Sequence, residues 1–144
     1  MIDMLKRKFR IDDYGDLLAE GVGKKLISIT YFGSYQGDWI AALDNGKNIE
    51  VWKGFYGSCS VCDSLQSMYR MDKNADDYLT RGDIDALTDM LKEEGNPFIK
   101  IPKNIFNDIS VKDFEALLPL NTRADIYNFD AGELLTDIRQ ALQN

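Results

Sequence analysis

The length and composition of the chain are those of a single globular domain: it has 144 residues, of which 44% are hydrophobic and 28% charged. A chain of this size buries enough surface to fold without disulfides or a structural metal. Its formal net charge of −7 argues against a protein that holds nucleic acid mainly by neutralising phosphates. Its lack of histidine excludes His-based triads, His general bases and His metal ligands. No apolar run approaches the roughly 20 residues of a membrane span, so we expect one soluble, cytoplasmic domain over residues 1–144.

The first part of the chain predicts a helix followed by three strands. Apolar residues within the first 20 positions predict a helix that ends at Gly21, since glycine commonly follows the last helical turn. Branched and aromatic residues then predict strands over 25–32, 39–43 and 49–52. Between the second and third strands, Asn45-Gly46 supplies the positive φ angles of a tight hairpin turn. The three strands are therefore expected to form an antiparallel meander.

Helical signals dominate the rest of the chain. Four capping boxes, in which a Ser, Thr or Asp precedes an acidic residue by three positions, predict helix starts. Pro97 and Pro102 bracket a short extended segment. The order of helix, meander and helices predicts an α+β fold, with a three-stranded antiparallel meander and helices packed mainly on one face. The boxes pair Ser60 with Asp63, Thr80 with Asp83, Ser110 with Asp113, and Asp130 with Glu133.

The most distinctive local string is a pair of cysteines, Cys59 and Cys62, at a predicted helix start. Helix amide groups lower the pKa of a thiol, so this spacing is typical of a redox pair, and it is equally half of a four-ligand zinc site. Two further Cys or His ligands are missing from the chain. Cysteine also packs as a small buried hydrophobe. The sequence leaves these three interpretations open.

The same region carries a family resemblance. The run YFGSYQGDW at 31–39, the hairpin, and YGSCSVCDSLQ at 56–66 resemble small proteins of bacterial phages and prophages, in which a Tyr-Gly-Ser-Cys-Ser-x-Cys-Asp string follows a β-hairpin. The resemblance covers residues 31–71 and brings no activity with it. It implies an accessory protein of a mobile element that acts in the bacterial cytoplasm.

Residues 72–83 resemble the twelve-residue calcium loop of an EF-hand. Carboxylate, amide and hydroxyl side chains alternate there, and a carboxylate closes the loop. Asp77 stands where the family has a glycine, and Asp83 replaces the usual glutamate, which favours weaker binding. The other interpretation is a solvated acidic loop before a helix. The expected ligands are Asp72, Asn74, Asp76, the Tyr78 carbonyl, Thr80 and Asp83.

The excess acid is concentrated between residues 72 and 94, which hold eight carboxylates against three basic residues. Within this segment Asp85, Asp89 and Glu93 repeat every four residues, which places them on one face of the predicted helix. Such a stripe is typical of a solvated helix side. It also suits a mimic of phosphates that occupies the basic groove of a nucleic-acid-binding protein.

The aromatic residues of the meander are the second candidate partner surface. Tyr35, Trp39 and Trp52 belong to a binding surface if one sheet face is uncovered, and to the core if helices cover both. No phosphate-binding loop, nucleophile elbow or apolar carboxylate pair indicates catalysis. The sequence therefore predicts a non-enzymatic phage or prophage protein without a cofactor. It would bind a bacterial protein, for example as an inhibitor of host defence, and neither nucleic acid nor a membrane. The alternatives are a calcium-binding regulatory module and a thiol or metal protein.

Overall fold

A four-stranded antiparallel sheet forms the centre of this computed structural model, which describes residues 7–8, 14–33, 37–56, 78–79, 81–118 and 130–143. Its strands lie in the order β2, β3, β4, β6. They are β2 (Lys25–Gly33), β3 (Gly37–Asp44), β4 (Asn48–Tyr56) and β6 (Ile99–Pro102). A separate pair joins β1 (Arg7–Lys8) to β5 (Tyr78–Leu79).

Five helices lie in the described residues. None of them is long and apolar enough to cross a membrane. The first begins at Tyr14, and a strand occupies Arg7–Lys8, so the prediction of a helix through the first 20 residues is wrong at that point. The helices are α1 (Tyr14–Val22), α2 (Arg81–Glu93), α3 (Lys103–Phe106), α4 (Val111–Leu117) and α5 (Ala131–Leu142).

The α+β class is confirmed, and the sheet has four strands where the sequence predicts three. The extended segment between Pro97 and Pro102 is the additional strand, β6, which pairs antiparallel with β4 from Val51↔Ile99 to Asn48↔Pro102. Along β6 the side chains alternate between buried and exposed positions, because successive residues of a strand point to opposite sides. Ile99 and Ile101 thus join the core while Lys100 faces solvent.

Helices cover both faces of the sheet, so the prediction of helices mainly on one face is wrong. On the face that we call the aliphatic face, six residues of β3, β4 and β6 pack beneath α3, α4 and α5. On the other, which we call the tryptophan face, residues of β3 and β4 pack beneath α1 and α2. The aliphatic face consists of Ile40, Ala42, Ile49, Val51, Ile99 and Ile101; the tryptophan face contains Trp39, Ala41, Leu43 and Trp52.

Several local predictions are confirmed. The hydroxyl of Ser110 accepts a hydrogen bond from the backbone N–H of Asp113, and Asp130 caps α5 through the N–H of Glu133. Gly46 in the hairpin turn has a φ of 98°. Asn45 extends this turn, since its side-chain oxygen accepts from the N–H groups of residues 47 and 48. The box predicted at residue 60 and the helix after it lie outside the described residues.

Candidate functional site

The acidic stripe lies on the outer side of α2. Asp85, Asp89 and Glu93 are exposed, while the opposite side of the same helix is buried against the tryptophan face. This division follows from the 3.6-residue period of the helix, which separates positions 84, 87 and 91 from the acidic positions. The buried residues are Ile84, Leu87 and Leu91.

Polar contacts fix the C-terminal end of α2 to the sheet. The amide nitrogen of Asn96 donates to the carbonyls of Lys53 and Leu91, both at 2.9 Å, and the backbone N–H of Lys53 donates to the Asn96 side-chain oxygen at 2.7 Å. Gly95, with a φ of 103°, ends the helix directly before the residue that makes these hydrogen bonds. The acidic residues therefore stand on an element whose position relative to β4 is fixed.

A close approach between α1 and α2 holds the middle of the helix. A side chain at Gly21 would overlap Thr88, which is itself 3% exposed and donates through its hydroxyl to the carbonyl of Ile84. The helix α1 ends at Val22, and Gly23, with a φ of 67°, follows it. Gly21 therefore serves the contact between the helices, whereas the sequence predicts it as the helix end.

Negative charge continues to the last turn of α2. Glu93 and Glu94 lie at the C-terminal end, where the helix dipole is itself negative. Partial burial raises the pKa of Glu94, and the nearby charge of Lys53 acts in the opposite direction. Asp16 on the neighbouring α1 is exposed as well. The helix layer over the tryptophan face thus presents a surface dominated by carboxylates, although α2 also carries an exposed Lys92.

A buried carboxylate lies at the edge of the tryptophan face. Glu50 is 1% exposed and accepts hydrogen bonds from Lys24 (2.9 and 2.8 Å), Asn45 (2.8 Å) and the indole nitrogen of Trp52 (3.1 Å). Burial raises the pKa of Glu50, but these donors outweigh it, so the pKa lies below its ordinary value. Glu50 therefore ties the start of β2, the hairpin turn and β4 together.

Asp44 forms a second ion pair at the same end of the sheet. Its carboxylate lies 2.6 Å from the Nζ of Lys103. The hydrogen bond from Lys103, that from the backbone N–H of Gly46 and the charge of Lys25 lower the pKa of Asp44. Both carboxyl groups are therefore ionised at neutral pH, and their geometry is that of structural ion pairs.

The two tryptophans predicted as a binding surface belong to the core. Trp39 and Trp52 are both 0% exposed, because α1 and α2 cover the face from which they project. This corrects the prediction of a partner surface at these two residues. The third predicted aromatic, Tyr35, lies outside the described residues.

The predicted thiol and calcium sites fall largely outside the described residues. Cys59, Cys62, Asp72, Asn74, Asp76 and Thr80 all lie there. The backbone of Tyr78 belongs to β5, and Asp83 lies in the first turn of α2. Among the residues that the structure describes, no three Cys, Asp or Glu side chains form a group that could hold a metal ion.

Sequence reasoning missed Glu50. A signal was present, since Glu50 stands between Ile49 and Val51 and two positions before Trp52, so strand alternation places it on the same side as a large aromatic residue.

Comparison with family models, with curated proteins and with solved structures gives no match to this chain. The exposed acidic side of α2 is therefore the main indication of function in the described residues.

Proposed function

We propose that this protein is a non-enzymatic binding domain that presents the acidic side of α2 to a basic surface of a bacterial protein. The observation that carries the proposal is the arrangement of Asp85, Asp89 and Glu93, which are exposed on one side of a helix whose other side is buried. The phage resemblance of residues 31–71 supports a setting inside a bacterial cell. A protein of the host, such as a defence protein, is the corresponding kind of partner.

The geometry suits a groove that holds a nucleic-acid backbone. Residues four positions apart rise about 6 Å along a helix, so three of them place negative charge along roughly 12 Å. A linear array of carboxylates matches the potential of a basic groove built for phosphates. The hydrogen bonds of Asn96 and the contact of Gly21 with Thr88 keep this array fixed, which reduces the entropy lost on binding.

Charge reversal tests the proposal. The variant Asp85→Lys/Asp89→Lys/Glu93→Lys should retain less than about one-tenth of the wild-type capture of bacterial partner at low salt, since both attraction and encounter rate depend on complementary charge. Its matched control is Asp108→Lys/Glu115→Lys/Asp137→Lys, which changes the net charge equally at exposed positions of the opposite helix layer. Capture is measured from a bacterial lysate, and duplex DNA added to that lysate should compete with the wild-type protein for the same partner.

Two outcomes would contradict the proposal. One is equal capture by the stripe variant and by wild type at low salt. The other is equal loss of capture by both triple variants, because that would show a dependence on net charge without a role for α2. Circular dichroism of each variant establishes that the comparison is made between folded proteins.

A calcium-binding regulatory module is the second candidate. The observation that favours it is the position of α2, which begins at Arg81 and so places Asp83 in the first turn of a helix, as the closing carboxylate of an EF-hand loop requires. Native mass spectrometry with added calcium should then show one bound ion that is absent from Asp72→Ala/Asp76→Ala. A wild-type protein that remains metal-free at millimolar calcium would exclude this candidate.

A further inference from the structure

A group of lysines lies at the end of the sheet that carries the hairpin turn. Two of them stand at or just before the start of β2, one follows the turn between β3 and β4, and two belong to β6 and the residue after it. Lys100 pairs in register with Glu50, and the N–H of Lys103 donates to the carbonyl of Lys47 at 2.8 Å. We call this group the lysine end; it consists of Lys24, Lys25, Lys47, Lys100 and Lys103.

Ion pairs neutralise only part of the positive charge of the lysine end. Glu50 and Asp44 each hold one lysine in such a pair. The other three lysines are exposed, and within the described part of the chain none of them forms a salt bridge. A chain with a net charge of −7 thus carries, at one end of its sheet, three exposed positive charges outside these pairs. These three are Lys25, Lys47 and Lys100.

The backbone beneath these lysines is held in place by hydrogen bonds. The side-chain oxygen of Asn45 accepts from the N–H groups of residues 47 and 48, and the carboxylate of Asp44 accepts from the N–H of Gly46 at 2.8 Å. Neighbouring strands lie about 4.8 Å apart, so the four strands spread the lysine end over roughly 14 Å. An extended peptide of about four residues covers that length. A fixed backbone reduces the entropy that the protein loses on binding such a peptide.

We propose that the lysine end binds a short segment of a partner protein that is rich in Asp and Glu. Charge complementarity identifies this occupant, because the exposed lysines provide mobile point charges that suit mobile carboxylates. A nucleic acid fits less well, since its charge continues along its whole length and meets the repulsion of a chain with a net charge of −7. Trp52, the aromatic neighbour of Glu50, is buried and cannot stack on bases. This inference is independent of the acidic side of α2.

The wild-type protein provides the first test, with the peptide hexaglutamate as the probe. In a titration at low salt, NMR chemical shifts should change for the backbone amides of residues 24–25, 45–48 and 100–103, while those of α4 remain unchanged. The changes should shrink strongly at about 300 mM salt, because salt screens exposed charges. Hexalysine should leave the same amides unchanged. No shift at millimolar hexaglutamate, or shifts that are not centred on the lysine end, overturns the proposal.

Charge reversal provides the second test. Lys47→Glu/Lys100→Glu reverses two of the three exposed charges, leaves both ion pairs intact, and should weaken hexaglutamate binding at least about ten-fold. The matched control Lys92→Glu/Lys112→Glu, at exposed positions of α2 and α4, changes the net charge equally and should weaken binding less than about two-fold. Equal weakening by both variants, or tighter binding of duplex DNA than of hexaglutamate by wild type, overturns the proposal. If a variant fails to fold, the titration of wild type still decides.

Discussion

The two faces of the central sheet come from the same strands but are stabilised differently. On the aliphatic face, branched side chains of β3, β4 and β6 meet the phenylalanines and leucines of α3, α4 and α5. On the tryptophan face, the indole nitrogen of Trp52 needs a hydrogen-bond partner and obtains it from the buried carboxylate of Glu50. The stability of the aliphatic face depends on close packing of apolar side chains. That of the tryptophan face depends in addition on hydrogen bonds to its buried polar groups. Substitutions at the two faces should therefore destabilise the protein for different reasons.

The largest expected effect is the loss of volume on the aliphatic face. Phe114 is 0% exposed, and its ring meets that of Phe106 edge to face with centroids 6.4 Å apart. Phe114→Ala should lower the free energy of unfolding by about 3–5 kcal/mol, through lost transfer energy and a residual cavity, as measured by urea denaturation. Phe114→Leu keeps most of the volume and should lose clearly less. A loss below about 1 kcal/mol for the alanine variant would show that α4 contributes little to this core.

Removal of the carboxylate tests the tryptophan face. Glu50→Ala leaves the Trp52 indole N–H buried without its acceptor and Lys24 without its ion pair. We expect a loss of about 2–4 kcal/mol in urea denaturation, below the upper range for broken buried pairs because Lys24 is 27% exposed and can reach water. Lys24→Met and the double variant complete a cycle whose coupling measures the pair. Additive losses would show that Glu50 acts through Trp52 and Asn45 alone.

The same carboxylate makes stability depend on pH. The pKa of Glu50 lies below its ordinary value of 4.5 and that of Asp44 below its ordinary value of 3.8, so the unfolded chain binds protons more readily than the folded one. Their contribution is present above those values and is lost as the pH falls through the lowered folded pKa values. The wild-type unfolding free energy should therefore fall below about pH 4.5, and that of Glu50→Gln should fall less steeply. Parallel pH profiles would contradict the assignment.

Local features were predictable because their causes lie close together in sequence. The turn at Asn45-Gly46, the caps at Ser110 and Asp130, and the buried side of α2 each depend on residues within one or two helical turns. The exposure of Asp85 and Asp89 followed from the same helical period. Their role in binding stays a prediction, since exposure does not identify a partner.

The missed features depend on distant partners. The fourth strand forms because Ile99–Pro102 pairs with the edge of β4. No local pattern of residues 97–102 reveals this pairing. The burial of Trp39 and Trp52 requires α1 and α2 to fold over the same face. Glu50 is stabilised in the core by a lysine 26 residues away in sequence. Long-range packing thus decides which strong β-formers become surface and which become core.

A smaller effect is expected at Gly54, where the tryptophan face has no room for a side chain. A Cβ at Gly54 would overlap the indole ring of Trp39, its neighbour on β3. Gly54→Ala should therefore cost about 1–3 kcal/mol through forced displacement of the ring, measured by urea denaturation with tryptophan fluorescence as the probe. In a Trp39→Phe background the smaller ring leaves room for the methyl group, so the same substitution should cost less. Equal costs in both backgrounds would show that the strain lies in the backbone.

The smallest effect concerns the charged end of α2. Burial raises the pKa of Glu94, so the folded state resists its ionisation and stability falls as the pH rises through the raised value. Glu94→Gln should stabilise the protein at pH 7 by up to about 0.5 kcal/mol, as for other surface changes. The gain should vanish at pH 4, where the wild-type carboxyl is largely protonated. Glu93→Gln removes the same charge from the same helix end and controls for the dipole. Destabilisation by Glu94→Gln at pH 7 would instead mean that the attraction between Glu94 and Lys53 outweighs the cost of burying the carboxylate. In that case this part of the acidic surface would itself contribute to the stability of the fold.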